Sequence, residues 1–190
     1  MSARTARLVT DWLAPRTWIA ADTVIVGWHT AGPAGVGWGL VGALFAAVLP
    51  LAFIKRGMRR GRWADRHVAS RRQRVVVIGF AAASVATGVL ALSVLGAPRI
   101  VIALIVAMLV TLAALLAVTP LWKISVHTAV AAGSVALLVM VLGPLPLLAL
   151  PLVALVGWSR IALRDHTPAQ VLAGATVGAT VAAGAFALVR

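Results

Sequence analysis

The chain has 190 residues, of which 62% are hydrophobic and only 11% are charged. A soluble domain carries about 25% charged residues, so this composition excludes an ordinary soluble protein. Cysteine is absent, which excludes disulfide bonds and thiolate catalysis. Lysine and arginine total 17 against four acidic residues, and the formal charge of +13 favours anionic partners.

Apolar residues gather in long runs that are typical of helices facing lipid. There are seven such runs, each predicted to be a helix that crosses the bilayer, and proline or glycine marks four of the breaks between them. In chain order the runs cover residues 17–30, 35–54, 75–96, 100–119, 126–141, 145–158 and 168–189. The first, fifth and sixth runs are short for a hydrocarbon core of about 30 Å, so six crossings are an alternative. The predicted fold is an all-α, polytopic transmembrane bundle that forms one domain over residues 1–190.

The basic residues are distributed unevenly between the two faces that seven crossings would create. Fifteen of the 17 fall on the face that holds the amino terminus and the basic loop 55–74, and only Arg99 and Arg190 fall on the other. The positive-inside rule predicts a multi-pass cell-membrane protein whose rich face is cytoplasmic. The charges lie at the ends of apolar runs, which favours anionic lipid headgroups or a phosphorylated lipid as partners, and not nucleic acid. The oligomeric state is left open.

The ionisable residues restrict the chemistry that the basic face can perform. Glutamate is absent and the four aspartates are scattered, so we expect no magnesium site and no cofactor. Three histidines, His67, His127 and His166, fall on the basic face among arginines. Arginine forks bind a phosphoryl group, a neutral imidazole can attack phosphorus, and a second imidazole can protonate the leaving oxygen. A metal site built from the three histidines is an alternative, although their spacings of 60 and 39 residues match no local ligand motif.

The order of these residues resembles the active-site motifs of the type 2 phosphatidic acid phosphatases, which vanadium haloperoxidases share. Their third motif, S-R-x5-H-x3-D, corresponds to Ser159, Arg160 and His166, with Gln170 in place of the aspartate. The resemblance implies that Arg160 binds phosphate and that His166 is the nucleophile. Gln170 can orient the imidazole but cannot balance its positive charge. The segment from Thr167 to Gln170 also has the pattern of a capping box, so helix capping is an alternative role for the amide.

The second motif of the family, P-S-G-H, corresponds to residues 124–127 and matches at two of four positions. The resemblance implies that Ser125 binds phosphate and that His127 is the general acid. Lys123 directly precedes this segment and is included in the predicted phosphate site.

The first motif, K-x6-R-P, is degenerate in this chain. His67 stands in place of the lysine, Arg74 follows seven residues later, and Val75 replaces the proline. Arg71 lies close to the same helix start and is included in the site. The basic run 55–62 is attributed to membrane topology.

Together these residues predict an integral membrane phosphatase that removes phosphate from a lipid phosphate or isoprenyl diphosphate through a phosphohistidine on His166. The alternative is a non-catalytic protein that binds or transports a lipid phosphate, which the losses at three motif positions favour. Asp165 is a further candidate to balance the charge of the nucleophile. Asp22 and His29 lie in the first apolar run, where polar groups usually line an inner cavity, and neither is assigned a role.

Overall fold

The computed structural model describes residues 2–61 and 71–190. Within these ranges the chain forms helices and turns without strands, as predicted for an all-α protein. A π-helical turn covers Leu44–Val48, and a 3₁₀ turn covers Leu145–Ala149. The α-helices of the described ranges are α1 (Ala3–Trp12), α2 (Pro15–Ala43), α3 (Leu49–Arg59), α4 (Arg71–Val94), α5 (Arg99–Val118), α6 (Val126–Leu142), α7 (Leu150–Ala162) and α8 (Pro168–Val189).

Five helical stretches of the described residues are long and apolar enough to cross a membrane, and Val126–Leu142 is a shorter apolar helix. The chain is therefore an all-α polytopic protein, as its apolar runs predict. The five stretches are Ala3–Arg59, Gln73–Val94, Arg99–Val118, Leu145–Ala162 and Pro168–Val189.

The first long stretch contains a hairpin. At Gly32 the backbone of α2 leaves the helical region with φ +57, a conformation that glycine adopts without steric cost. The two arms pack so closely that a Cβ atom on Gly27 or Gly35 would overlap the opposite backbone. The predicted runs 17–30 and 35–54 are therefore the two arms of one hairpin.

Helix α8 packs along α6 and α5 in the middle of the bundle. Gly178 lies directly against the backbone of Ala129, where any side chain would overlap it. This close approach brings the first turns of α6 and α8 together, and the backbone N–H of Ser125 donates to the carbonyl oxygen of Gln170 at 3.2 Å. Two motif segments far apart in sequence thus become neighbours.

Two cavities lie at different ends of the helices. One cavity is bordered by Arg16, Lys123 and Arg160, and the other by His29, Ile100 and Arg190. The connections between successive helices thus alternate between two ends, as the antiparallel order of the predicted runs requires. The basic motif residues whose side chains are described, Arg74, Lys123, His127, Arg160 and His166, belong to the first end.

Candidate functional site

His166 occupies the turn between α7 and α8, and only 8% of it is exposed. Its Nδ1 atom lies 3.1 Å from the carbonyl oxygen of Lys123 and 3.3 Å from Oε1 of Gln170. Both oxygens are acceptors, so Nδ1 carries the hydrogen and donates it. This tautomer leaves the lone pair on Nε2, which becomes the nucleophilic atom of the ring.

The surroundings of His166 keep its imidazole uncharged. The pKa of His166 is lowered to about 4, first by burial and then by the positive charges of Arg74, Arg160 and Lys123. The hydrogen bond to the carbonyl of Lys123 raises the pKa but is outweighed. At neutral pH the ring is therefore in the form that can attack an electrophile.

Gln170 makes the contacts that both of the roles considered for it from the sequence require. Its Oε1 accepts the backbone N–H of Thr167 at 3.1 Å, and the Thr167 side chain accepts the backbone N–H of Gln170, which completes a capping box. The same Oε1 faces Nδ1 of His166. Because a backbone N–H can only donate, the capping box fixes which end of the amide points at His166, and so it fixes the imidazole tautomer.

Arg160 ends α7 and is almost fully buried, with 3% of it exposed. Its Nη2 atom forms an ion pair with Asp165 at 2.7 Å, so this carboxylate faces the guanidinium. Its Nη1 atom donates to Oγ1 of Thr10 at 3.4 Å, and that hydroxyl in turn donates to Ser159 at 3.0 Å. Helix α1, which the sequence did not predict, therefore helps to hold a motif arginine in place.

A strained turn joins Arg160 to His166. Arg164 has φ 56, a left-handed conformation that residues other than glycine seldom adopt. It reverses the chain so that the N–H groups of Asp165 and His166 both donate to the carbonyl oxygen of Arg160, at 3.1 and 3.2 Å. The guanidinium and the imidazole of the third motif are thereby held at the same cavity.

Arg74 reaches the site from the first turn of α4. It is 8% exposed, and its Nη2 atom donates to the carbonyl oxygen of Ile124 at 2.8 Å. The neighbouring carbonyl of Lys123 accepts from His166. The carbonyl of Lys123, just before the second motif, and that of Ile124, its first residue, therefore position one residue from the third motif and one from the first.

The second motif opens α6. His127 lies in the first helical turn and lines the same cavity as His166 and Lys123. Ser125 is the N-cap residue: it is fully buried, and its Oγ accepts from the backbone N–H of Thr128 at 3.5 Å. The structure therefore gives Ser125 a helix-capping role, and phosphate binding by its hydroxyl stays a prediction.

Two predicted site residues, His67 and Arg71, have no described side chain. His67 lies outside the described residues. For Arg71, only the backbone is described, at the start of α4. The predicted residues that share one cavity are Arg74, Lys123, His127, Arg160 and His166.

This cavity has a volume of about 270 Å³ and extends from the charged residues into the bundle. Its deeper wall is mainly apolar, with Asp22 and Ser134 among the lining residues. Across residues 2–61 and 71–190, no group of three histidine, aspartate or glutamate side chains is close enough to hold a metal ion. The site therefore combines fixed cations and two imidazoles with an apolar interior.

Thr10 is the site residue that sequence reasoning missed. It is buried on α1, a helix capped by Ser2. The cap and the following polar and apolar pattern could have predicted a short amphipathic helix. No feature of the sequence could have paired Thr10 with Arg160, which lies 150 residues later.

Comparison with known families agrees with this geometry. Residues 120–190 match the family model of the PAP2 superfamily, whose members are usually phosphatases. The match includes the second and third motif segments, and Arg74 lies outside it. Comparison with curated proteins and with solved structures finds no match. Over residues 120–190, the chain is therefore similar to the PAP2 superfamily.

Proposed function

We propose that this protein is an integral membrane phosphatase that hydrolyses a lipid phosphate or an isoprenyl diphosphate, without a metal ion, through a phosphohistidine on His166. The observation that carries the proposal is the neutral imidazole, whose Nδ1 donates to two fixed acceptors beside two buried arginines. That arrangement suits a nucleophile for phosphorus, since the arginines can bind the phosphoryl oxygens as attack proceeds.

In the first step, Nε2 of His166 attacks phosphorus, the N–P bond forms and the bond to the leaving oxygen breaks. Protonated His127 gives its proton to that oxygen, which leaves as an alcohol or as a phosphate. Arg74, Arg160 and Lys123 stabilise the negative charge on the phosphoryl oxygens. In the second step, water gives a proton to His127 and attacks phosphorus, the N–P bond breaks, and inorganic phosphate leaves.

Gln170 and the carbonyl of Lys123 hold His166 through both steps. Each is a neutral acceptor, so each orients the ring but stabilises its positively charged phosphorylated form less than a carboxylate would. We therefore expect phosphorylation of His166 to be slower than with an aspartate at position 170.

The shape and location of the site support a lipid as substrate. The cavity opens at a cationic mouth formed by Arg74, Lys123, Arg160 and His166. It leads into an apolar interior between helices that are long and apolar enough to cross a membrane. An amphiphile with a phosphate at one end satisfies both parts. The distribution of basic residues predicts that the mouth faces the cytoplasm.

Phosphate release by the purified protein tests the proposal directly. A panel of lipid phosphates and isoprenyl diphosphates would be incubated in detergent micelles, with and without strong chelator and with vanadate. We expect turnover that persists in chelator, is inhibited by vanadate, and passes through an acid-labile phosphoprotein that forms when radiolabelled substrate is used. Lipid-phosphate binding without any phosphate release would instead favour the binding or transporting protein.

The predicted orientation has its own test, because it depends on a different observation. Single cysteines introduced at Gly61 and at Pro33 would be exposed to a membrane-impermeant thiol reagent in intact cells. We expect the Pro33 site alone to be labelled, since the basic face should be cytoplasmic. Labelling at Gly61 alone would reverse the orientation.

A further inference from the structure

Asp22 is a buried carboxyl group that the proposed mechanism does not use. It lies in the first arm of α2, is 1% exposed, and lines the inner part of the cavity. Neither carboxylate oxygen makes a hydrogen bond within ordinary limits to any of the described residues. The Ser134 side chain, on α6, is the polar group that interacts with this carboxyl group, and Ser134 also lines the cavity.

Asp22 and Ser134 lie at a similar depth below the charged mouth. Asp22 follows Arg16 by six residues along α2, and Ser134 follows His127 by seven along α6. With a rise of about 1.5 Å per residue, both lie roughly 10 Å from the mouth. Two helices thus supply one polar site, Asp22 with Ser134, at the inner end of the cavity, which is called its floor.

A buried carboxyl group without a partner destabilises a folded protein, and the cost is larger inside a membrane than near water. Polar and ionisable groups at such depth usually face a substrate path and not the lipid. Asp22 is among the residues that line the cavity, so a ligand bound there is the natural source of a further hydrogen-bond donor.

We propose that Asp22 and Ser134 form a second polar subsite that binds a hydroxyl or amino group of the substrate about 10 Å from its phosphate. The inference rests on the proposed function for the phosphate end. It narrows the substrate class to phosphorylated amphiphiles that carry a hydrogen-bond donor along the chain. Isoprenyl phosphates, whose chains offer only hydrocarbon to Asp22, become the poorer substrates.

The remaining lining of the cavity fits such an amphiphile. Between mouth and floor the wall includes Ile19, Leu115 and Val130, which would pack against methylene groups. A volume of about 270 Å³ is near the lower limit for small-molecule sites, which start at about 300 Å³. The cavity therefore holds the phosphate-bearing end of a lipid and not a whole lipid.

The test uses three probes of equal chain length: a straight-chain alkyl phosphate and its ω-hydroxy and ω-amino derivatives. Chain length is chosen so that the terminal group lies about 10 Å from phosphorus. In the wild-type protein we expect kcat/KM for both derivatives to exceed that of the plain alkyl phosphate by about 10-fold or more, because the plain chain leaves a buried carboxyl group without a donor. Asp22→Leu should bring both ratios close to one.

Two further variants separate a binding role from a structural one. Asp22→Asn keeps the shape and can still accept from a hydroxyl, but it should lose most of the preference for the ω-amino probe. Thr111→Val is the matched control, because the Thr111 hydroxyl also lines the cavity yet already donates to the carbonyl of Ala107 on its own helix. It should leave both ratios unchanged.

The outcomes distinguish the two proposals. Equal hydrolysis of all three probes by the wild-type protein would overturn the second subsite and leave the phosphatase standing. If no probe is hydrolysed, the proposed phosphatase activity is wrong. Calorimetry then gives a Kd for each probe, and the Kd values of the derivatives are compared with that of the plain alkyl phosphate. Asp22→Leu should raise the melting temperature, because it removes a buried carboxyl group whose hydrogen bonds are incomplete. A sharply lowered melting temperature, with the probe preferences unchanged, would make Asp22 a structural residue.

Discussion

The polar groups at the mouth of the cavity and those at its floor differ in how completely they are hydrogen-bonded. At the mouth, Arg74 donates to a carbonyl, Arg160 pairs with Asp165, and His166 donates to two acceptors. On the floor, neither carboxyl oxygen of Asp22 meets hydrogen-bond geometry with a described residue, and Ser134 is the polar side chain that interacts with it. The mouth is thus organised before any ligand arrives, whereas the floor is incomplete.

This difference follows from the tasks of the two regions. Groups that stabilise a developing charge act best when they are already fixed, because reorganisation during the reaction costs free energy. A group that selects a substrate discriminates more strongly when its own hydrogen bonds are unsatisfied in the free protein. A ligand that lacks the matching donor then leaves that buried polar group unpaired. Rate is therefore expected to depend on the mouth, and substrate choice on the floor.

The largest expected effect comes from the nucleophile. His166→Ala should lower phosphate release by more than about 10⁴-fold, because the covalent step is lost. Binding of a lipid phosphate should remain, since the two mouth arginines supply most of the anion affinity. The matched control is His29→Ala, which removes an imidazole at the opposite end of the bundle. Substantial residual turnover in His166→Ala would break the assignment of chemistry to the mouth.

The general acid should be the next largest contribution. His127→Ala should slow the release of an alkyl alcohol by about 10² to 10⁴-fold. With an activated aryl phosphate the loss should be much smaller, because that leaving group departs without a proton. Steady-state rates on the two substrates measure the difference. An equal loss on both would show that His127 binds substrate and does not donate a proton.

The pH dependence of stability tests the electrostatics of the mouth. The pKa of His166 is lowered from 6.5 to about 4, so between these values the unfolded chain binds more protons than the folded one. His166 therefore contributes a loss of stability as the pH falls from about 6.5 to 4, on the order of 3 kcal/mol. Melting curves of the wild-type protein and of His166→Gln measure it. The variant should show the smaller decline.

Substitutions of Gln170 separate its two roles. Gln170→Asp should raise the rate by roughly 10-fold, because a carboxylate stabilises the phosphorylated imidazole. It should also raise the pKa of His166 and move the acid limb of the pH–rate profile to higher pH. Gln170→Ala should cost about 1 kcal/mol of stability through the lost capping box. A fall in rate for Gln170→Asp would contradict the orienting role.

Much of the fold was predictable because long apolar runs leave few alternatives to membrane helices. The third motif was also predictable, since Arg160 and His166 are held together by one local turn. The pairing of Arg74 with the carbonyl of Ile124 was not, because backbone acceptors carry no sequence signal. Asp22 was identified only as a polar group expected near a cavity, and its lack of a partner required the packed structure.

Removing the contact between α1 and Arg160 should have the smallest effect, and it tests what holds Arg160 in place at the mouth. Thr10→Val removes the hydroxyl that accepts from Arg160 and donates to Ser159. Because Thr10 contacts the arginine and not the reacting atoms, we expect KM for a lipid phosphate to rise several-fold while kcat changes little. Thr180→Val, at an exposed position of α8, is the control. No change in either constant would mean that the mouth keeps Arg160 in place without α1.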